Sequence, residues 1–554
     1  MNLTRINLIF YIFMLSILSI NAQNSAPNGW WRMDAKMDNY NGVSIEKAYE
    51  TILKGKTSQT VIVAVIDSGV DAKHEDLKNV MWINKGEIAG NGIDDDKNGY
   101  VDDLNGWNFL GNKSGKNVEH ETLEVTRLYA KYKSKFDNAN RDKLSKKDKK
   151  LYDKYLTYKE EVEKKQKSAQ KQLDDFNGYA PFVISSLQTF GKTMEGKPLT
   201  AENLADVKAD ELSPEAQQGF AILQNVQSQG MTVESVDDII DMLNQEGEHY
   251  RGRAEFMYNP DYDSRKIVGD NYADSYEKGY GNNDIIASDP MHGTHVAGII
   301  GADRTNDLGI KGVANNVQIM GIRILADGDE RDKDVANAII YAVDNGASVI
   351  NMSFGKGHAW DKKAVDKAVR YAEKNDVLLV HAAGNDGKDN DSTENYPNDS
   401  YMKKRFLRKN KVKYVKNWIE VGASSYEKGE KIAAPFSNYG AEKVDVFAPG
   451  MQIYSTTPDG TYQNQQGTSM ASPVVAGVAA VLRSYYPTLT AEQVKDIIMK
   501  SAVPVSGEIL KPGTDDEKVP FKSLGQSGGL INAYQALQMA AKTKGKKKVI
   551  SPKA

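Results

Sequence analysis

The stretch VIVAVIDSG, residues 61–69, decides the fold class. Six apolar residues end in an aspartate and a Ser-Gly turn, which is typical of a strand buried on both faces of a sheet. Similar apolar runs follow, with helical patterns between them, and the predicted strands are residues 61–67, 317–325, 348–353, 377–383, 419–422 and 444–447. This alternation predicts an α/β fold, a doubly wound and mostly parallel sheet that binds ligands at the carboxyl ends of its strands.

The composition excludes several classes of protein. The chain has 554 residues, of which 40% are hydrophobic and 9% aromatic, so it can bury a large core and is not intrinsically disordered. Its mean hydropathy of −0.56 excludes a polytopic membrane protein. A net charge of −4 gives no overall field that would favour nucleic acid as a partner. Cysteine is absent, which excludes disulfides, thiolate metal sites and cysteine nucleophiles.

The first 22 residues are typical of a secretory signal peptide. Arg5 supplies the positive charge, and residues 8–20 form an apolar run too short to span a bilayer comfortably. Ala22 suits the last position before a cleavage site. A membrane anchor is the alternative interpretation. We therefore expect an exported protein, periplasmic or extracellular, without stable membrane insertion.

Residues 116–282 interrupt the alternation of strands and helices, and we predict that they form a mainly helical insert. Residues 127–171 hold 16 basic and 7 acidic residues, whereas residues 201–248 hold 11 acidic residues and one lysine. These charges are interpreted either as two solvated helical faces or as two halves that pack on each other as a cap beside a cleft. The other predicted regions are an N-terminal strap at 23–60, the main domain at 61–115 and 283–540, and a lysine-rich tail at 541–554.

Asp67 and His292 are the first two candidates for catalysis. Asp67 ends a predicted strand, where a carboxylate can hold a partner rigidly, although a turn aspartate is the simpler interpretation. His292 opens HGTHVAG, residues 292–298, at the start of a predicted helix, and could act there as a general base. The spacing of His292 and His295 lacks the Glu of a zinc motif, so zinc is not expected, and His295 is interpreted as a buried structural histidine.

Ser469 and Asn385 complete the set of candidates. Ser469 lies in GTSMASP, residues 467–473, at the start of an apolar helix predicted over 472–485. The N–H groups of a helix N-terminus stabilise developing negative charge there, although an ordinary helix-capping serine is the alternative. The GTSMA sequence does not match the G-x-S-x-G elbow of lipases and esterases. Asn385 closes HAAGN, residues 381–385, where its amide could donate to an oxyanion or simply belong to a turn.

With these motifs, in the order Asp67, His292, Asn385, Ser469, the chain resembles the subtilisin-like serine protease family, the subtilases. The resemblance covers residues 61–103 and 284–537. It implies a Ser/His/Asp triad that hydrolyses peptide bonds through an acyl-enzyme, with Asn385 and the backbone N–H of Ser469 forming the oxyanion hole.

The resemblance also implies where a substrate binds. Residues 350–355, INMSFG, resemble the strand that lines the first specificity pocket and pairs with the substrate backbone, so Ser353, Phe354 and Gly355 are candidate substrate-binding residues. Strand pairing favours extended or unfolded polypeptides as substrates. Asn395 resembles the residue at the base of the pocket. Because asparagine is larger than glycine, a large aromatic side chain is not expected there.

Residues 91–103, NGIDDDKNGYVDD, are a candidate calcium loop. Their spacing reproduces the opening D-x-D-x-N-G of an EF-hand loop, but the position of the usual final glutamate is Asn105, so a full EF-hand is absent. Oxygen ligands favour Ca²⁺, and the predicted ligands are Asp94, Asp96, Asn98, Tyr100, Asp102 and Asp103. A solvated acidic turn is the alternative. Similar loops in subtilases favour calcium, and by resemblance alone a second site is conceivable at Asp76 and the Asn306-Asp307 loop.

Two features depart from the family pattern. The insert separates Asp67 from His292, and it could shield the cleft, select substrates or steady the fold. The basic residues 402–416 are predicted to form a solvated loop.

Two other functions also remain open: a catalytically silent peptide-binding protein, and a peptide cyclase or ligase that uses the same catalytic residues.

Overall fold

The computed structural model describes residues 26–194, 196–228, 233–403 and 411–546. The predicted signal peptide at residues 1–22 lies outside these ranges. The described chain forms two compact units: a sheet unit, made of Ala26–Glu124 and the chain from Asp263 onward, and a helical unit, Val125–Tyr262. Among the helices in the described ranges, none combines the length and apolar character needed to cross a bilayer.

The strands all belong to the sheet unit. In chain order they are β1 Val61–Asp67, β2 Gly106–Asn108, β3 Val317–Arg323, β4 Val349–Met352, β5 Leu378–Ala382, β6 Ser400–Lys403, β7 Lys411–Tyr414, β8 Trp418–Ser424, β9 Val446–Pro449, β10 Ile453–Thr457, β11 Thr461–Gln465, β12 Val503–Pro504, β13 Glu508–Leu510, β14 Lys518–Pro520 and β15 Gly529–Leu530.

Nine of these strands form one sheet in the order β12-β15-β9-β8-β5-β4-β1-β3-β2. All neighbouring pairs are parallel except β12 with β15. The chain leaves β1 towards β3 on one side and later adds β4 on the other, so the strand order reverses at β1. The carboxyl ends of parallel strands diverge at such a point and leave a crevice for ligands.

Helices cover the sheet on both faces. In chain order the α-helices of both units are α1 Ile45–Glu50, α2 Glu124–Phe136, α3 Lys146–Thr193, α4 Ala201–Ala205, α5 Pro214–Ser228, α6 Val236–Arg251, α7 Arg265–Val268, α8 Met291–Gly301, α9 Asp332–Asp344, α10 Lys362–Lys374, α11 Thr468–Tyr485, α12 Ala491–Lys500 and α13 Ala533–Ala540. One hydrophobic cluster joins the sheet to α8 and α11–α13, and another joins it to α9 and α10. The predicted doubly wound α/β fold is therefore confirmed.

The N-terminal segment of the sheet unit is anchored by two tryptophans. Trp30 and Trp31 are both 0% exposed. The indole N–H of Trp30 donates to the carbonyls of Met451 and Gln452, each at 3.1 Å. Burial of such large rings stabilises a fold by several kcal/mol, on the order of 3–5 for truncation to alanine. The segment is thus part of the core of this unit.

The helical unit is organised along α3, a helix of 48 residues. Near its start, Tyr155 stacks on Tyr129 of α2 and contacts Phe136, with ring centroids 5.8 Å apart in each pair. Further along, residues 176–194 form a second hydrophobic cluster with α5 and α6. The acidic segment, residues 201–248, therefore packs on the C-terminal end of α3, beyond the basic residues 127–171. The two charged halves form successive clusters along one helix, so the structure does not support the interpretation in which they pack on each other.

The basic segment at 402–416 is more regular than expected. Its described residues pair as antiparallel strands β6 and β7, with Met402 opposite Val412. Residues 404–410 lie outside the described ranges. The segment is solvated as predicted, since β7 is exposed, but it forms a two-stranded ribbon and not a loop, because alternation of apolar residues and lysines supports strand pairing.

Candidate active site

Asp67 and His292 form a close pair at the carboxyl end of β1. The Nδ1 atom of His292 lies 2.6 Å from Oδ1 of Asp67, which also accepts the backbone N–H of Ser68 at 2.7 Å. Asp67 is 0% exposed, whereas the side chain of His292 is 34% exposed. Burial lowers the pKa of His292, but the charge of Asp67 and its hydrogen bond outweigh that effect and raise the pKa above its ordinary value.

His292 lies in the first turn of helix α8, and this helix packs tightly against the end of β1. A Cβ atom on Gly293 would lie 2.0 Å from the carbonyl oxygen of Gly69, so only glycine permits this approach. His295, one turn further on, is 0% exposed and lies 3.1 Å through Nε2 from the carbonyl oxygen of Gln463. Its burial lowers its pKa to about 4. His295 is therefore a neutral core residue, and His292 is the histidine that faces solvent.

Ser469 is the second residue of α11, and its surroundings explain why the helix begins earlier than the predicted residue 472. Pro473 lacks the N–H that would bond to the carbonyl of Ser469. The Ser353 hydroxyl donates to that carbonyl at 2.8 Å instead, so the helix extends back to Thr468. In return, the Ser469 hydroxyl donates to the carbonyl of Ser353 at 3.0 Å. These reciprocal hydrogen bonds fix Ser469 beside the segment that follows β4.

Asn385 lies three residues after β5 and is oriented by Thr468. Its Oδ1 atom accepts the backbone N–H of Thr468 at 2.8 Å and the Thr468 hydroxyl at 2.9 Å. Because the amide oxygen is used in this way, the amide Nδ2 is the group that can donate to a ligand. Asn385 is exposed, and its Nδ2 atom points towards the same helix N-terminus that carries Ser469.

The predicted substrate-binding residues lie together beside Ser469. Ser353 bonds to Ser469, and Phe354 and Gly355 follow it on the segment after β4. This segment pairs with the chain around Asn395, since the backbone N–H and carbonyl of Lys356 bond to those of Tyr396 at 3.0 and 2.9 Å. Asn395 is half-buried, and its amide donates to the carbonyls of Ala382 and Ala383 at the end of β5. The structure thus brings Ser353, Gly355 and Asn395 together beside Ser469.

Two buried residues behind Asn395 were missed by the sequence analysis. Glu420 of β8 accepts hydrogen bonds from Asn395, from the indole of Trp418 and from His381 of β5. His381 is 0% exposed, and Glu420 is 6% exposed. They meet because they are register partners on adjacent strands, which the sequence reveals only once the order of the strands is known.

The acidic loop brings together part of the predicted calcium ligand set. Carboxylate oxygens of Asp96 and Asp103 lie with one of Glu87 within 4.8 Å of one another. Asn98 bonds to both aspartates through its amide, at 3.2 and 3.0 Å. Burial raises the pKa of Asp103 to about 6. Three carboxylates at this spacing fit a hard cation such as Ca²⁺.

The other predicted ligands in this loop have protein partners. Both oxygens of Asp94 accept backbone N–H groups within the loop, and so do both oxygens of Asp102. The ring of Tyr100 is buried against Trp107 and Tyr341. Glu87 was missed because it precedes the motif, although its carboxylate also accepts backbone N–H groups from the loop. All of these carboxylates accept hydrogen bonds, and what distinguishes Glu87, Asp96 and Asp103 is that one oxygen of each lies within 4.8 Å of the others.

Asp76, the candidate for a second calcium site, is buried and surrounded by donors. Its carboxylate accepts the Asn306 amide at 2.6 Å, the Tyr462 hydroxyl at 3.0 Å and the backbone N–H of Ile310 at 3.1 Å. These contacts hold the 306–310 loop against the rest of the sheet unit.

Comparisons with known proteins identify what this arrangement is similar to. A family model described as the Subtilase family matches residues 58–534. The chain is 42% identical to subtilisin DY of Bacillus licheniformis over 215 residues, which cover 38% of this chain and 70% of that protein. It is 36% identical to thermitase of Thermoactinomyces vulgaris over 278 residues, 49% of this chain and 85% of that one. The solved structure of a prenylagaramide maturation protease aligns with a TM-score of 0.36 and 29% identity, covering 46% of this chain and 83% of that chain.

Proposed function

Since this chain belongs to the subtilase family of serine endopeptidases, we propose that its catalytic residues are Asp67, His292 and Ser469. The observation that carries this proposal is the 2.6 Å contact between Nδ1 of His292 and Asp67. A hydrogen bond at Nδ1 leaves Nε2 as the basic atom of the imidazole, which is the tautomer that a general base requires.

The reaction begins when the Ser469 hydroxyl leaves the Ser353 carbonyl and donates its proton to Nε2 of His292. The serine oxygen attacks the scissile carbonyl, and His292 then delivers the proton to the leaving amine. Asp67 stabilises the transient imidazolium. Water attacks the resulting acyl-enzyme by the same proton path in reverse, which releases the second product.

The negative charge on the attacked carbonyl oxygen is stabilised by two donors at the start of α11. One is the amide Nδ2 of Asn385, whose orientation follows from the bonds that Thr468 makes to its Oδ1 atom. The other is the backbone N–H of Ser469. Donors that are already oriented cost no reorganisation when the charge develops. The segment after β4 presents backbone groups to an extended substrate, so unfolded polypeptides are the proposed substrates.

Removal of the Ser469 hydroxyl tests the proposal. The variant Ser469→Ala should lower kcat by roughly 10⁶ and abolish labelling by a fluorophosphonate, because no other group replaces the nucleophile. The matched control is Ser523→Ala, since Ser523 is exposed and bonds to the Pro520 carbonyl. Labelling that persists in Ser469→Ala would contradict the assignment. Mass spectrometry of products formed with an added amine separates hydrolysis from peptide ligation or cyclisation.

We also propose that Glu87, Asp96 and Asp103 hold a structural Ca²⁺ ion. A cation there would neutralise carboxylates that crowd within 4.8 Å of one another and would tie the loop to the preceding segment that carries Glu87. Chelation should lower the Tm, and Asp96→Asn should remove that difference between chelated and calcium-loaded protein. The control is the exposed Asp386→Asn. A Tm of the native protein that chelation leaves unchanged would contradict the proposal.

Export is the remaining part of the proposed function. Residues 1–22 would direct secretion and be removed after Ala22. N-terminal sequencing of the protein outside the cytoplasm should therefore begin at Gln23, and a mature protein that retains residues 1–22 would contradict this proposal.

A further inference from the structure

The side chain of Asn395 is held in one orientation. Its Nδ2 atom has three acceptors: the carbonyls of Ala382 at 3.2 Å and Ala383 at 3.1 Å, and Oε1 of Glu420 at 3.2 Å. An amide nitrogen only donates and an amide oxygen only accepts, so the reversed orientation would place Oδ1 against three oxygens. The contacts of Nδ2 therefore also determine where Oδ1 points.

The Oδ1 atom of Asn395 lies beside the segment that follows Ser353, the residue bonded to Ser469. A Cβ atom on Gly355 would be 2.4 Å from it, which places this oxygen directly against the segment that follows Phe354. Asn395 is half-buried, and its Oδ1 atom is not among the fully buried polar atoms without a partner in the described residues, so the oxygen keeps some exposure to solvent. Within the described ranges no side chain or backbone group donates to it, and it has capacity to accept a hydrogen bond from a ligand.

Glu420 and His381 support this orientation from behind. The Oε2 atom of Glu420 accepts the indole N–H of Trp418 at 2.9 Å and lies 2.9 Å from Nδ1 of His381. His381 is 0% exposed, its ring lies 6.3 Å from that of Phe354, and its Nε2 atom has no partner within the described residues. A buried carboxylate with several donors is rigid, because each lost hydrogen bond would leave a desolvated polar atom. The base of the cleft is therefore polar and fixed, rather than apolar and adaptable.

We propose that the cleft selects substrates whose residue on the acyl side of the scissile bond carries a short side chain with an O–H or N–H donor. The donor would bind Oδ1 of Asn395, and Glu420 and His381 are the positioning residues that keep this oxygen facing the cleft. Threonine and asparagine fit this description, whereas valine and leucine of the same size leave the oxygen unpaired. Aspartate is excluded because its ionised carboxylate has no donor for Oδ1 of Asn395 and would be repelled by the negative charge of Glu420 behind it. This inference rests on the proposed protease function.

Peptides that differ only at that residue test the proposal with the full-length enzyme. Two matched pairs have the same shape, Thr against Val and Asn against Leu, and Asn against Asp tests charge. The expected ratio of kcat/KM is about 10 in favour of the donor in each matched pair, as for one partly solvated hydrogen bond. A ratio near 1, or a preference for Val and Leu, overturns the proposal. Cleavage without preference contradicts only this inference, whereas absence of both cleavage and Ser469 labelling contradicts the proposed function as well.

Variants of Asn395 and Glu420 separate positioning from general loss of structure, since a selectivity ratio does not depend on the amount of folded enzyme. Asn395→Gly should bring the Thr/Val ratio to about 1 and raise kcat/KM for a Phe substrate about tenfold by opening the cleft. Glu420→Leu removes one of the three acceptors of Asn395 and should lower the ratio part of the way, while Glu420→Gln, which still offers an acceptor, should retain most of it. Asn375→Ala, at an exposed helix end, is the control. Retention of the full preference in Asn395→Gly or Glu420→Leu overturns the role of that residue.

Discussion

The two units of this molecule use charged residues in opposite ways. In the sheet unit, Arg265 has a side chain only 4% exposed and pairs with the fully buried Asp270 and Asp334 at 2.6 and 2.8 Å. In the helical unit, Arg141 pairs with Asp153 at 2.7 Å, but these side chains are 48% and 51% exposed. Similar distances therefore describe different interactions, because water screens the second pair and not the first.

The comparison explains where precise chemistry can be located. Water cannot take over the hydrogen bonds of a buried polar group, so the protein groups that bond to it fix its position, as for Asp67 and Glu420. An exposed pair on a long helix can exchange partners with water at little cost. Function that depends on the position of single atoms is therefore expected in the sheet unit, and the predictions below test that contrast from the largest expected effect to the smallest.

The largest effect is expected from Asp67→Asn. This change keeps the size of the side chain but favours the wrong tautomer of His292, because an amide can donate where the carboxylate accepted. We expect kcat to fall by about 10⁴ with little change in KM. Steady-state kinetics on a peptide substrate measures both values. A loss smaller than about tenfold would mean that the fixed pair in the sheet unit is not used in catalysis.

A smaller effect is expected from Asn385→Ala. The change removes one donor to the oxyanion and should lower kcat by about 10²–10³ while leaving KM nearly unchanged. The change also removes the acceptor of two hydrogen bonds from the buried Thr468, so a modest fall in the Tm should accompany the loss of kcat. A rise in KM at constant kcat would instead assign Asn385 to ground-state binding.

The two ion pairs themselves provide the third test. Arg265→Met leaves two buried aspartates without one of their partners and should cost about 3–5 kcal/mol in the free energy of unfolding. Arg141→Ala removes a partner from a solvated pair and should leave the denaturation midpoint unchanged within error. Urea denaturation of both variants gives the comparison directly. Equal effects would show that burial does not distinguish the two units.

The smallest effect is on the pH profile. His292 must be neutral to accept a proton, and its pKa is raised by Asp67, so kcat/KM should fall as the pH drops through that raised pKa. The acidic limb is therefore expected above the ordinary histidine pKa of about 6.5. His295, with a pKa lowered to about 4, stays neutral over this range and does not contribute. An acidic limb below the ordinary histidine value would contradict the influence of Asp67.

The sequence was sufficient for the fold class and for the local elements that carry the candidate residues. Asp67 ends the first strand in the structure, as predicted, and helix α12 begins with a capping box of Thr490 and Gln493, whose spacing is a recognisable sequence pattern. Such features depend on neighbours in the chain, so a local pattern reveals them. Assignment of catalytic roles to these residues remains a proposal that the experiments above address.

Features that depend on contacts across the sheet could not be predicted. His381 and Glu420 are 39 residues apart and meet only because β5 lies beside β8. The early start of α11 depends on the Ser353 hydroxyl, 116 residues away, which replaces the hydrogen bond that Pro473 cannot make. Neither contact leaves a periodic or local signature, so each became visible only with the structure.

The wide separation of the proposed catalytic residues along the chain has a consequence for the timing of the proposed activity. Asp67 and His292 are 225 residues apart, and Ser469 follows in a helix that also contacts β4, β5 and β8. Closing such long loops is slow, and the groups meet only after the sheet has formed. A nascent or partly folded chain therefore contains the motifs but no assembled nucleophile. If these residues form the catalytic site, activity would appear only with the folded sheet unit.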